Sequence, residues 1–400
     1  MSVRRVVAVF GILALLLGGC DGSGTPTDAR STGAGSTAPE PPALRPQWQS
    51  LTLPAPPGGA GRLLLRDATA CAGRWFLTGG VADASGGTRP AAWTSVDGTT
   101  WTVVPVLADS FYGRQNVLSS VACREGKAAV IGAKVGGAHG YPRVSTWRQR
   151  ADGALVEVQA SFETYGGPKA VNVSELAAGP SGWLIVGNRT AGAASWVSPP
   201  PAAEFALVEG APELASDAVG VTWAFDAVAA PPGWLAVGGL LPAGRIDRDP
   251  AVWSSPDGRS WRRTVLPGGP EYEELQRVAL VDGVPVAVGL RGATFGAWRQ
   301  EPGGWVAAGA FGRRAGAGVP AVAALVAAGA QLVAVVADGS RYAVWVSADR
   351  GGSWREVAMP LDVPAGADRD VALVAVGDRW WLASDDGARA GLWSAAGVGA

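Results

Sequence analysis

The chain has 400 residues and balances 33 basic against 34 acidic side chains for a net charge of −1. It therefore has no general electrostatic attraction to nucleic acid, and none is expected as a partner. A single histidine, His139, excludes most chemistry built on imidazole and leaves no metal-ligand cluster, so neither metal nor cofactor is expected.

In chain order the first feature is a basic start, Arg4 and Arg5, followed by the apolar run Val6 to Leu17 and then Leu17-Gly18-Gly19-Cys20. The apolar run is too short to cross ~30 Å of hydrocarbon comfortably and reads as a secretory signal over residues 1–19. Its Leu-Gly-Gly-Cys ending resembles the bacterial lipobox. That resemblance implies cleavage before Cys20 and lipidation of its sulfur, hence an exported protein held on the outer face of the cytoplasmic membrane or in the cell envelope through a lipid anchor only. An ordinary signal peptide with an unrelated cysteine is the competing reading. Residues 20–46 are Gly, Ser, Thr, Ala and Pro with few side chains large enough to bury, the composition of a flexible tether.

From residue 47 to 400 one unit recurs seven times. Each copy holds an apolar strand, a glycine turn and a second apolar strand, with turns at Gly73, Gly126, Gly182, Gly233, Gly283, Gly329 and Gly377, spaced 46 to 56 residues apart. A third strand in every copy carries a tryptophan: Trp93, Trp147, Trp196, Trp253, Trp298, Trp345 and Trp393. Several copies show a fourth strand after a tight turn. Four short strands in a unit of this length make one blade of a β-propeller, so an all-β, seven-bladed ring is expected. The seventh copy stops after its third strand, and Trp48-Gln-Ser-Leu-Thr-Leu-Pro54 at the other end reads like Trp354-Arg-Glu-Val-Ala-Met-Pro360. The N-terminal strand is thus expected to complete the last blade and remove an open edge. Cys71 and Cys123, the cysteines besides Cys20, are a disulfide candidate in an exported protein.

Copies one, four and six share a turn: Ser95-Val-Asp97-Gly-Thr-Thr-Trp101, Ser255-Pro-Asp257-Gly-Arg-Ser-Trp261 and Ser347-Ala-Asp349-Arg-Gly-Gly-Ser-Trp354. These turns resemble the Asp-box, or BNR, repeat of bacterial sialidase-like propellers; only the third has the full spacing. Their aspartates read as structural, because the carboxylate suits a bend by accepting backbone N–H bonds. The resemblance admits a glycosidase as an alternative function. It implies three arginines on a substrate carboxylate, a tyrosine nucleophile supported by a glutamate, and an acid/base aspartate. Nothing ties the tyrosines (Tyr112, Tyr141, Tyr165, Tyr272 and Tyr342) to such a set. The Arg-Ile-Pro signature is absent, and those enzymes have six blades. No catalytic residue is assigned.

The joins between strands two and three each contain an arginine: Arg89, Arg143, Arg189, Arg248, Arg291, Arg341 and Arg389. They share a face of the ring with the mouth, where Arg66, Asp67, Asn116, Asn172, Glu175, Asp226, Glu274, Arg277, Arg369 and Asp370 are expected at the starts of the innermost strands. Two readings stay open. The face forms a basic mouth that binds an anionic glycan, a carboxylated ligand or an acidic partner segment, since guanidinium groups make bidentate contacts to such groups; or each arginine pairs with a nearby acid and fastens loop to strand. The expected molecule is a non-enzymatic, monomeric binding or assembly module, similar in plan to seven-bladed BNR-type propellers that act as assembly factors.

Overall fold

The computed structural model describes residues 41–135 and 142–398. The signal segment, Cys20 and the tether up to residue 40 lie outside the described residues, as do His139 and Tyr141. From Pro42 to Ala400 the chain forms one compact unit. Seven antiparallel sheets follow one another around a ring: a seven-bladed β-propeller.

Blade 1 runs outward through Arg62–Cys71, Arg74–Ala82, Thr88–Ser95 and Thr102–Val103. Blade 2 comprises Val117–Arg124, Lys127–Lys134, Arg143–Gln149 and Leu155–Val158. Blade 3 comprises Ala170–Gly179, Gly182–Arg189, Gly192–Ser198 and Ala206–Val208. Blades 4, 5 and 6 begin with Gly220–Ala230, Glu273–Val281 and Ala321–Ala328, and end with Arg262–Val265, Gly304–Phe311 and Arg355–Val357. Blade 2 departs from the four-stranded plan: Val106–Leu107 adds a fifth strand, pairing in parallel with Leu155 and Val156.

All seven tryptophans of the repeat lie on third strands, and Trp93, Trp147, Trp196 and Trp253 are fully buried. Second strands read as continuous apolar runs because both faces of a blade are covered. In blade 6, Leu332, Ala334 and Val336 pack toward blade 5, while the alternate residues Val333, Val335 and Ala337 pack toward blade 7. The core is accordingly seven hydrophobic seams, one between each pair of neighbouring blades. The one-to-two hairpins turn tightly: at Ala72-Gly73 and Asp282-Gly283 both residues have positive φ, 49° and 70° in the first and 50° and 76° in the second. This geometry matches the twist of the flanking strands and favours glycine at the second position.

The ring closes as expected. Gln49–Leu51 pairs antiparallel with the last strand, Ala390–Ala396, in the register Gln49↔Ser394, Ser50↔Trp393 and Leu51↔Leu392. The N-terminal segment does more than the sequence suggested. Leu44, expected in the tether, exchanges backbone bonds with Glu356 and Ala358 of blade 6, each at 2.8 Å. The Trp48 indole donates to the Ala358 carbonyl at 2.8 Å, and the Pro54 carbonyl accepts from Trp93 of blade 1 at 2.8 Å. Cys71 and Cys123 form a disulfide, Cα–Cα 5.8 Å, joining the inner strands of blades 1 and 2.

Because this segment spans blades 6, 7 and 1, Leu51→Asp, which places a carboxylate in the seam between blades 7 and 1, is expected to destabilise by about 2 kcal/mol or more. Deleting residues 42–53 should cost more still. Scanning calorimetry reads both, and an unchanged melting temperature for either would refute the closure.

Candidate functional site

Strand alternation puts the one-to-two and three-to-four turns on one face of the ring, here the lower. The two-to-three joins and the blade-to-blade connections lie on the upper face. Four of the seven join arginines are ion-paired, three within the blade or with its adjoining connection and Arg248 with the inner strand of the next blade. Arg189, nearly fully buried, meets Glu209 at 3.1 Å and the carbonyls of Gly166 and Glu163. Arg248 meets Glu274 at 2.7 Å, Arg291 meets Glu273 at 3.1 Å, and Arg341 meets Glu356 at 2.8 Å. Arg89 donates to the carbonyls of Pro57 and Gly59. Arg245, in the long join of blade 4, binds Asp249. Arg143 and Arg389 have no ion pair among the described residues.

A second group meets on the axis. The sequence placed Arg66, Asp67, Asp226 and Arg277 at the starts of inner strands, on the mouth; the structure corrects this. They lie mid-strand, because each inner strand begins several residues earlier and carries a bulge there. Arg277 of blade 5 reaches Glu175 of blade 3 at 2.7 Å and the Ala323 carbonyl of blade 6 at 3.1 Å. Arg66 pairs with Asp385 of blade 7 at 2.8 Å, and Arg62 meets the same carboxylate. Asp370 begins its strand as expected. Glu274 and Asn116 are buried rather than lining the mouth.

Side chains at the inner-strand bulges, and Asn188 on the second strand of blade 3, also join blades. Asp67 accepts the Val121 N–H of blade 2 at 2.7 Å, Ser120 the Leu176 N–H of blade 3 at 3.2 Å, and Asn188 the Ala224 N–H of blade 4 at 2.8 Å. Asp226 accepts the Val278 N–H of blade 5 at 2.9 Å, and Gln276 the Val322 N–H of blade 6 at 2.7 Å. These clamps, like the anchoring role of Asp385, were missed from sequence; the only local signal is a polar residue interrupting an apolar inner strand.

Desolvation dominates the electrostatics here. Burial pushes the Asp67 carboxyl well above the usual range, reinforced by the Glu175 charge. Burial raises Asp226 to about 7 against the pull of Arg277, and Asp370 to about 6 against that of Arg66. Burial disfavours the Arg277 charge, but Glu175, Asp226 and Asp67 more than offset it and hold the guanidinium protonated.

The three serine–aspartate turns lie on the lower face. In the first, Ser95 Oγ donates to Asp97 at 2.9 Å, and Asp97 accepts the Thr99 and Thr100 N–H groups, both at 2.7 Å. Asp257 does the same for Arg259 and Ser260, and Asp349 for Ser353. Amide bonds hold Asp97 and Asp257 below the ordinary carboxylate range, and Ser353 does so for Asp349. Trp101, Trp261 and Trp354 pack in the seam toward the preceding blade. Each turn is thus fully occupied in structure. Among the described residues no group of three or more His, Cys, Asp or Glu could hold a metal ion, and no helix is long and apolar enough to cross a membrane.

No protein-family model matches the chain, and no curated protein matches it. Among solved structures it is similar to a hydrazine synthase chain of Kuenenia stuttgartiensis, at 13% identity over 85% of this chain and 98% of that one, TM-score 0.51. It is also similar to the propeller domain of the Trilobed protease of Pyrococcus furiosus, at 8% identity over 84% and 94%, TM-score 0.47. A third similarity is to a Hadza microbial sialidase, at 14% identity over 84% and 66%, TM-score 0.43. The likeness is one of fold alone.

Between about pH 4 and 7 the folded protein holds more protons on Asp67, Asp226 and Asp370 than the unfolded chain does, so stability falls as pH rises through that interval. The turn carboxylates act oppositely, stabilising above about pH 4 and losing that contribution below it. The melting temperature should therefore peak near pH 4 to 5 and decline toward pH 8 by on the order of 5 °C. Asp226→Asn, which keeps the acceptor for Val278, should flatten the alkaline limb. A stability that rises steadily to pH 8 would contradict the axial assignment.

Proposed function

We propose that the chain is an exported, lipid-anchored binding module of the bacterial cell envelope that acts without catalysis and docks a protein or anionic ligand on its upper face. The observation that carries this reading is where large apolar side chains stand in water. Phe111, Tyr112, Val135, Phe162, Val219, Val221, Ile246 and Val319 belong to the upper joins, connections and strand ends, with Ile246 90% and Val319 85% exposed, whereas the lower turns and strand ends expose Val96 and Val376. Single exposed apolar residues are ordinary, but their concentration on one face of a ring marks an interaction surface. The serine–aspartate turns, akin to Asp-boxes, belong to the other face and serve packing. The Leu-Gly-Gly-Cys20 ending supports the anchor.

Lysine at Phe111, Val219 and Ile246 together should abolish chemical cross-linking to the envelope partner. Val376→Lys, on the lower face, should leave the cross-linked product intact. Equal cross-linking by both proteins would remove the upper face from consideration. Cys20→Ser should move the protein from the membrane to the soluble fraction.

One observation favours the second reading, a sialidase-like hydrolase. The Tyr272 hydroxyl donates to Glu274 at 2.6 Å, with Arg248 on both groups, the tyrosine–glutamate pairing such an enzyme requires. Against it, burial and the Glu274 charge push the Tyr272 hydroxyl further from ionisation, and Arg248 and Arg291 are held by acids rather than converging on a substrate carboxylate. A fluorogenic sialoside should not be turned over. Hydrolysis that disappears in Tyr272→Phe would establish the enzyme instead.

A further inference from the structure

We infer that the slot around Arg143 on the upper face is a binding site for a singly charged carboxylate carried beside an aromatic or other flat apolar group. The inference rests on the upper face being the contact surface and names the chemistry that one part of it takes. Arg143 opens the third strand of blade 2 and lines a slot of about 170 Å³ with Tyr112, Glu157, Phe162 and Tyr165. Its guanidinium carbon lies 4.8 Å from the Phe162 ring centroid and 5.5 Å from that of Tyr112. Those rings cover guanidinium surface and leave its N–H edge as the polar feature, the edge that meets a carboxylate in two parallel hydrogen bonds.

What sets this arginine apart is that Glu157 and Tyr165 beside it are occupied, whereas among the described residues its guanidinium is not. Glu157 accepts from the Asp109 and Ser110 N–H groups and from the hydroxyls of Ser110 and Ser145. All its acceptor positions are filled, which steadies its charge and leaves it none for a ligand cation. The Tyr165 hydroxyl is bonded to Thr146 at 3.2 Å. The Arg143 guanidinium has no hydrogen-bond or ion-pair partner among the described residues, and its Nε is shut off from water without one. The terminal N–H groups of the guanidinium, which also lack a partner among the described residues, are the donors a ligand oxygen in the slot can meet. One arginine beside the fixed Glu157 charge suits a monoanion rather than a phosphate dianion, which calls for more than one cation. Phe162, exposed and lining the slot, supplies surface for the flat apolar part of the ligand.

Titration calorimetry with the full chain tests this with 3-phenylpropionate, the uncharged 3-phenylpropan-1-ol and phenyl phosphate. The carboxylate should bind roughly tenfold or more tightly than the alcohol and more tightly than the phosphate. Arg143→Ala should remove that preference and Phe162→Ala should weaken binding severalfold, while Arg143→Lys, which keeps the charge without the fork, should retain part of it. Unchanged melting temperatures confirm that the variants fold. The peptide Gly-Gly-Phe with a free or an amidated C-terminus then separates sources. Binding that needs the free terminus identifies a polypeptide end, and binding of 3-phenylpropionate alone identifies a small acid. Equal affinity for acid and alcohol, tighter phosphate binding, or an Arg143→Ala protein that binds like the original overturns the inference. If the lysine-substituted upper face loses its partner while 3-phenylpropionate never binds, only the slot is wrong. If the probe binds through Arg143 while partner cross-linking survives those lysines, only the docking face is wrong.

Discussion

Each sheet of this protein is apolar on both faces, so no blade is stable unless a neighbour covers each side, and the only arrangement that covers every face is a closed ring. The ring has to be shut by a segment distant in sequence from the strand it joins. Residues 44 to 54 do this by crossing the outer edge of blade 6, completing blade 7 and capping the tryptophan of blade 1. The strand itself is short, and Gln49 and Ser50 are exposed. Its strength comes from acting in three places at once: releasing it uncovers an edge in blade 7 and loosens the seams on both sides.

Closure also sets what the axis can hold. Seven inner strands brought together enclose ionisable side chains, and that burial is what raises Asp67, Asp226 and Asp370. Bulges turn Asp67, Asp226 and Arg277 toward the axis, and their neighbours Ser120 and Gln276 toward the next blade's backbone. The acceptors Asp67, Ser120, Asn188, Asp226 and Gln276 take an amide hydrogen from the following inner strand. Hydrophobic seams hold the blades face to face without specifying how far one slides on the next; a directional bond to a single amide does specify it. The raised pKa values of the axial acids follow from the same enclosure, and Arg277, bonded to blades 3 and 6 at once, ties the group together.

The features legible in the sequence were those governed by short separations. A glycine between two apolar strands, a tryptophan on each third strand and a serine–aspartate turn are local necessities of a blade, and they recur because the blade recurs. The closing strand was legible because the truncation of the last repeat left a gap that the first strand matched. The partners of the charged residues were not. Arg277 and Glu175 are 102 residues apart and Arg66 and Asp385 are 319 apart, and many arginines in the chain have the same local surroundings. The pairing of Arg189, Arg248, Arg291 and Arg341 with acids was one of two open readings, and only the positions of Glu209, Glu274, Glu273 and Glu356 decide it. Leu44 has the local look of tether because its neighbours are prolines and small residues, while its contribution is a pair of backbone bonds and packing against a seam whose other residues lie hundreds of positions away.

The two faces of the ring obey different constraints, and this locates variability and function. On the lower face, the one-to-two turns are two residues long in several blades, and each serine–aspartate turn has its aspartate bonded to backbone amides and a tryptophan wedged into the adjoining seam. A substitution there is felt in blade packing. On the upper face, the joins and connections need only span between strand ends that are already fixed, so their length and side chains are free of the blade's geometry. That freedom is visible in the unequal connections, from the two-residue turn of blade 3 to the long join of blade 4 that displays Ile246. Arginines on that face that make ion pairs were drawn into holding these loops down. Arg143, set between exposed aromatic rings and a glutamate whose acceptors are all filled, has no ion pair among the described residues and lines a slot of about 170 Å³.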